Sequence, residues 1–218
     1  MKYKAVIFDM DGVIFDSERL VLESWQAVAK KYGINNVKAV MYECIGVNSV
    51  ITKEIFLRHY GQDFPYTEYK KEASAIFNER FQSEGIPVKM GVRELLKYLQ
   101  EENYLIGLAS STRYAIVKQE IEDAGLMPFF MNLTCGDMLK KSKPDPDIFL
   151  MACENLGVKP CEAIGVEDSY NGIRAVKRAG MLPIMVPDLI APDEEMRELA
   201  GFIFPDLLAV QAWFQSRK

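Results

Sequence analysis

Short apolar runs bounded by glycine or polar residues recur along the chain, at residues 5–8, 105–109, 163–166 and 182–186. None alternates apolar with polar positions, which is the pattern of strands covered on both faces, as in a parallel sheet. Residues 132–135 and 202–204 are weaker runs of the same kind. Between these runs, residues 91–102, 113–124, 145–156 and 169–179 place apolar side chains at i, i+3 and i+4, which predicts amphipathic helices. The last three are followed at once by Gly125, Gly157 and Gly180, residues that end a helix in the left-handed conformation at little steric cost. Strands alternating with helices predict an α/β fold, a doubly wound, Rossmann-like parallel sheet with right-handed crossovers.

The rhythm breaks between the first run and Pro87. Residues 17–32 carry Val21, Trp25, Val28 and Tyr32 on one helical face and stop at Gly33. Residues 48–60 and 66–83 read as two further helices, stopped by Gly61 and by Glu84-Gly85. Residues 16–86 are therefore expected to form an all-α domain inserted into an α/β core made of residues 1–15 and 87–218. Trp25, Phe56, Phe77 and Phe81 are expected in the core of the inserted domain, with His59 on its surface near a helix C-terminus. Its two tethers, near residues 15–17 and 85–87, are expected to act as hinges.

Composition narrows the function without naming it. Hydrophobic residues make up 49% and charged residues 26%, ordinary for a globular protein. The net charge of −5 gives no electrostatic footprint for nucleic acid or an anionic membrane. No apolar run approaches the ~20 residues of a membrane helix. A single histidine excludes a centre built from several imidazoles. Cys44, Cys135, Cys153 and Cys161 include no C-x-x-C pair and read as reduced, buried, small apolar residues. Together with an N-terminus too short in apolar residues for a signal peptide, they predict a cytoplasmic protein. A monomer is the default for this size.

Ligands of an open parallel sheet bind beyond the carboxyl ends of its strands. Asp9-Met10-Asp11-Gly12 follows the first run, Ser110-Ser111-Thr112 the second, and Glu167-Asp168-Ser169 the third. Lys143-Pro144-Asp145 precedes a predicted helix. Asp9, Asp11, Glu167 and Asp168 would crowd four negative charges together, which is untenable without compensation. A hard cation with oxygen ligands, such as Mg²⁺, and Lys143 supply it, and an acid that stays protonated can serve as a general acid. Hydroxyls and amides at the helix starts after Ser111 and Ser169 are expected to hold an anion. These parts together point to phosphoryl transfer with an aspartate nucleophile. Singly, each has a plainer reading: a turn aspartate, a cap serine, a solvated lysine.

The same residues resemble the four ordered motifs of the haloacid dehalogenase superfamily: Asp9-Met10-Asp11-Gly12-Val13, Ser110, Lys143-Pro144-Asp145-Pro146, and Gly165-Val166-Glu167-Asp168-Ser169 with Gly172. The resemblance covers nearly the whole chain, with the helical insertion in the place of that superfamily's α-helical cap. It is greatest for the branch of β-phosphoglucomutases and sugar-phosphate phosphatases. The resemblance implies that Asp9 is the nucleophile and Asp11 the general acid and base. It implies that Ser110, Ser111 and Lys143 hold the phosphoryl group. It also implies that Asp168, Asp9 and the Asp11 backbone carbonyl bind Mg²⁺, with Glu167 a direct or water-mediated ligand. Cation-pumping ATPases and true dehalogenases lack an acid two residues after the nucleophile and match less well.

The expected function is thus a Mg²⁺-dependent phosphatase of a small phosphorylated metabolite, a sugar phosphate above all. The alternative is a phosphosugar mutase of the β-phosphoglucomutase type. Such mutases carry a cap histidine where Val21 stands, and a cap arginine that Asn48-Ser49, after Gly46-Val47, does not supply. A non-catalytic phosphate-binding regulator is the third reading, set against the complete set of catalytic residue types. Glu18, Asn48 and Arg80 are the expected cap contacts to substrate.

Overall fold

The computed structural model describes residues 3–81 and 85–217. Six strands, β1 Ala5–Phe8, β2 Leu105–Ser110, β3 Asn132–Cys135, β4 Ala163–Glu167, β5 Leu182–Met185 and β6 Phe202–Ile203, form one sheet in the order β3-β2-β1-β4-β5-β6. Every neighbouring pair is parallel. Ten α-helices accompany them among the described residues: α1 Ser17–Tyr32, α2 Val37–Glu43, α3 Ser49–Tyr60, α4 Tyr66–Phe81, α5 Val92–Glu101, α6 Tyr114–Asp123, α7 Asp147–Asn155, α8 Tyr170–Arg178, α9 Glu194–Leu199 and α10 Leu207–Gln215.

The unbroken apolar runs are explained by two cores. Val6, Phe8, Ile106, Leu108, Ile164 and Val166 face α5, α6 and α10, packing on residues such as Leu99, Val117 and Val210. Their neighbours Ala5, Ile7 and Ala163 face α7 and α8, where Phe149, Ala152 and Val176 wait. Phe8, Ile7 and Phe149 are fully buried, each worth about 1.5–3 kcal/mol relative to exposure.

Helices α1–α4 follow β1 and close over a core of their own. Trp25 and Phe56 lie 4.4 Å apart between ring centroids, and Phe56 and Tyr66 5.1 Å. The expected face of α1 is rotated: Leu22, Trp25, Val28 and Ala29 are buried, whereas Tyr32 is 44% exposed and packs on Tyr69. Phe77 lines a cavity instead of joining this core. The end of the third predicted helix, at residues 82–84, lies outside the described residues, as does the Phe81 side chain. His59 is bonded to Glu43 at the surface (2.8 Å). The two tethers run side by side: Asp16 N–H donates to Pro87 O (3.0 Å) and Lys89 N–H to Ile14 O (2.9 Å).

Cys44, Cys135 and Cys153 are buried, but Cys161 is exposed, at the turn that leads into β4, so one of the four is not a core residue. No helix among the described residues is long and apolar enough to cross a membrane.

Candidate active site

The sheet order reverses between β1 and β4, because the connection after β1 leads outward to β2 and that after β4 to β5. A crevice opens beyond the strand ends at such a point. Asp9 leaves β1 there, Ser110 ends β2 and Glu167 ends β4. Lys143, on the loop before α7, reaches the same place and is 1% exposed.

Three acceptors take the three ammonium protons of Lys143. Its Nζ donates to Asp9 Oδ1, to Glu167 Oε1 (2.7 Å) and to the Ala109 carbonyl (3.0 Å). Burial alone would lower the Lys143 pKa, but the Asp9 and Glu167 charges and hydrogen bonds outweigh it and raise it. The second Glu167 oxygen, Oε2, accepts from Asp168 N–H (3.1 Å), Ser169 N–H (3.2 Å) and Ser169 Oγ (3.0 Å). The anion cradle expected at the start of α8 is therefore filled from within the chain, by Glu167. Gly172 makes room for this: a Cβ there would stand 1.8 Å from the Glu167 carboxyl carbon.

Asp168 stands in a different position. It is 4% exposed, and its carboxylate has no hydrogen-bond donor among the described residues. Burial, first, and the charges of Glu167 and Asp9 raise its pKa well above the ordinary carboxylate range. Asp9 is likewise raised, by burial first, with Lys143 opposing and Glu167 and Asp11 adding. Oxygens of Asp9, Glu167 and Asp168 lie within 4.8 Å of one another. One lysine cannot balance three buried acids, and an orphaned carboxylate of this kind fits a hard divalent cation. Gly12 closes the wall, with φ +80° and a Cβ position 2.3 Å from Asp168 Oδ2. Any side chain there would collide with the candidate ligand.

Asp11 is held by two hydroxyls, Ser17 Oγ (2.6 Å) at the start of α1 and Thr112 Oγ1 (3.0 Å) beyond β2. Neither orienting role was legible in the sequence. Glu18 is half-buried beside the acids. Burial, then Asp11, Asp9 and Asp188, raise its pKa well above the usual range. Asp188 pairs with Lys89 (2.6 Å), and its place beyond the end of β5, like that of Asp9 beyond β1, is the signal in the sequence that marks it.

The remaining candidates are placed as follows. Ser110 is fully buried and its Oγ accepts from Thr112 N–H (3.1 Å). Ser111 Oγ donates to Gly46 O (3.3 Å), joining the core loop to the helical segment. At the start of α6 the Tyr114 N–H already donates to Asp137 (3.0 Å). Asn48 is committed to capping α3, accepting from Val50 and Ile51 N–H, while its own N–H donates to Ser142 Oγ (3.1 Å). Arg80 is exposed and donates to Glu23 (2.5 Å). A cavity of about 500 Å³ between helical segment and core has Asp11, Ser111 and Thr112 on one side and Val21, Trp25, Lys70 and Phe77 on the other.

A cation held by these acids should raise thermal stability. At a hundredfold excess over Kd the gain is about 2.7 kcal/mol, or roughly 5–10 °C for a chain of this size. The Asp9 and Asp168 pKa values are raised, so protons compete with Mg²⁺ more effectively as pH falls. The shift in Tm on adding Mg²⁺ is therefore expected to be larger near pH 8 than near pH 5.5. An equal shift at both, or none, would contradict the site.

The chain is similar to known proteins along most of its length. A profile of the haloacid dehalogenase-like hydrolases matches residues 6–186. The chain is 32% identical over 178 residues to a phosphorylated carbohydrates phosphatase of Thermotoga maritima, covering 82% of each chain. It is 34% identical over 189 residues to a β-phosphoglucomutase of Bacillus subtilis, covering 84% of this chain and 83% of that one. Among solved structures, a β-phosphoglucomutase of Clostridium difficile superposes with a TM-score of 0.78 at 23% identity, over 99% of this chain and 98% of the other.

Proposed function

The chain belongs to the haloacid dehalogenase-like hydrolase family, and on that premise we propose that it is a Mg²⁺-dependent phosphatase of sugar phosphates, working through an aspartyl-phosphate on Asp9. The observation that carries this reading is the convergence of Asp9, Glu167 and Asp168, of which only the first two are bonded to the one saturated, buried lysine. Residues 16–86 act as a cap domain on the tethers at 15–17 and 85–87, closing over the substrate and excluding water.

Asp9 attacks phosphorus in line, and the bond from phosphorus to the ester oxygen breaks as Asp11 hands its proton to that oxygen. Asp11, now a carboxylate, takes a proton from the water that attacks the aspartyl-phosphate. Phosphate leaves and Asp9 is restored. Ser17 and Thr112 hold the Asp11 carboxyl for both transfers. Lys143 keeps Asp9 oriented and balances its charge. Ser110 and Ser111 bind phosphoryl oxygens. Mg²⁺, held by Asp9, Asp168 and the Asp11 carbonyl with Glu167 direct or through water, would supply the positive charge that the crowded carboxylates and phosphoryl oxygens need.

The similarity to a β-phosphoglucomutase keeps a mutase as the second reading. Val21 weakens it, because this residue lines the cavity and offers no titratable group. A phosphate-release screen with Mg²⁺ over sugar and polyol phosphates decides between them. Discrete sugar-phosphate hits support the phosphatase. Conversion of β-glucose 1-phosphate to the 6-phosphate without phosphate release would overturn it.

A further inference from the structure

The helical segment is seated on the core in this structure. Its Gly46 carbonyl accepts from Ser111 Oγ (3.3 Å), its Asn48 N–H donates to Ser142 Oγ (3.1 Å), and a Cβ on Gly46 would stand 2.5 Å from Ser169 Oγ. A further contact comes from the loop between β5 and α9, where Leu189 packs on the core of the helical segment. That loop is fixed to the sheet domain at both ends. Val186 N–H donates to Glu167 O (2.7 Å), and the Tyr170 hydroxyl donates to Ala191 O (2.7 Å). Asp188 lies between these anchors, next to Leu189.

Asp188 is poorly satisfied there. Its Oδ1 accepts from Lys89 (2.6 Å), in a pair whose side chains are 13% and 21% exposed. Its Oδ2 is buried and has no hydrogen-bond partner among the described residues. Glu18, in the first turn of α1, has no donor among them either. Ionised Glu18 is disfavoured by burial, first, and then by the charges of Asp11, Asp9 and Asp188. Of these three, Asp11 is held by two hydroxyls and Asp9 by Lys143. Asp188 is not one of the acids that converge on the candidate cation site, and Lys89 is its one ion-pair partner among the described residues. A buried acceptor without a donor is unfavourable, and so are two acids brought together across a domain boundary. Moving the helical segment off the core admits water to both.

We infer that Asp188 drives the cap open: closure leaves its Oδ2 dry and sets its charge against Glu18 of the cap, and opening relieves both. This rests on the reading of residues 16–86 as a cap that moves on its tethers. Lys89, just beyond the second tether, moderates the drive by balancing part of the Asp188 charge. Such a device suits an enzyme that must let phosphate out after each turnover, because a cap that stays shut retains product.

Distances between two spin labels report cap position without turnover. One label goes on Cys161, the exposed cysteine of the core, and the other on Lys53→Cys, at an exposed position of α3; the other three cysteines are buried. In that background Asp188→Asn, which keeps the shape of the side chain and removes its charge, should raise the ratio of closed to open protein about threefold. Lys89→Met, which leaves Asp188 unbalanced, should lower the ratio by about the same factor. Lys89→Gln takes its place if that variant does not fold. Calorimetric affinity for inorganic phosphate with Mg²⁺ should follow the same order, tightest in Asp188→Asn, which a merely structural role of Asp188 would not produce. Opposite shifts of the two variants support the inference; equal distributions in all three proteins, or any other pattern, would overturn it. The distances do not depend on catalysis. Failure to bind phosphate at all would count against the phosphatase reading and leave the distances to decide on Asp188.

Discussion

Asp9→Asn should reduce phosphate release from every substrate by more than about a thousandfold, some 4 kcal/mol in the barrier, while the protein stays folded. An amide oxygen is a poor nucleophile and a weaker ligand for a hard cation. The fold should tolerate the change because Asn keeps the shape of the side chain and an oxygen that can accept from Lys143. It also removes one of the carboxylates crowding Asp168, whose pKa is raised partly by the Asp9 charge. The variant should therefore be as stable as the wild type, or more so, in the absence of Mg²⁺. Initial rates and thermal melts on the same preparation check both halves. Activity within tenfold of wild type would remove Asp9 from the role of nucleophile.

Lys143→Met should damage fold and activity together. The lysine satisfies Asp9, Glu167 and the Ala109 carbonyl from a position closed to solvent. Methionine fills similar volume but leaves two buried carboxylates facing one another. Removing one partner of a buried ionic cluster costs about 3–5 kcal/mol, which at 2–4 °C per kcal/mol lowers Tm by roughly 6–20 °C. The cost depends on pH with a definite sign. Burial already raises the Asp9 pKa against the opposing pull of Lys143; without the lysine its folded-state pKa stands further above the unfolded one, so the penalty is absent at low pH and grows as pH rises past about 4. Melts of the metal-free variant near pH 5 and pH 8 should separate from wild type more widely at the higher value. Turnover should fall by at least a hundredfold. A variant with wild-type Tm at both pH values would show that the lysine is not what balances Glu167 and Asp9.

The strands of the central sheet were legible because burial on both faces writes an unbroken apolar run, as in Ala5–Phe8. Asp9, Ser110 and Glu167 followed from them, since the end of a parallel strand is where a crevice opens. Helix α2 was missed for a local reason: it has seven residues, and Asn36 enters it in the left-handed conformation with no side-chain cap. Helices α9 and α10 did carry a signal, since Asp193 and Asp206 cap them by accepting from Met196 and Ala209 N–H; α9 has only six residues, whereas α10 is as long as α7 and α8. The state of Glu167 was beyond reach, because motif spacing does not tell a carboxylate wrapped by Ser169 and Lys143 from one left open like Asp168.

The central claim is a covalent phosphoryl group on Asp9, and rapid acid quenching with a ³²P-labelled sugar phosphate tests it most directly. During turnover with Mg²⁺, label should appear on the peptide that contains Asp9, be discharged by hydroxylamine as an acyl phosphate is, and be missing from Asp9→Asn. Steady phosphate release with no protein-bound label at any quench time, or label on a peptide lacking Asp9, would contradict the account.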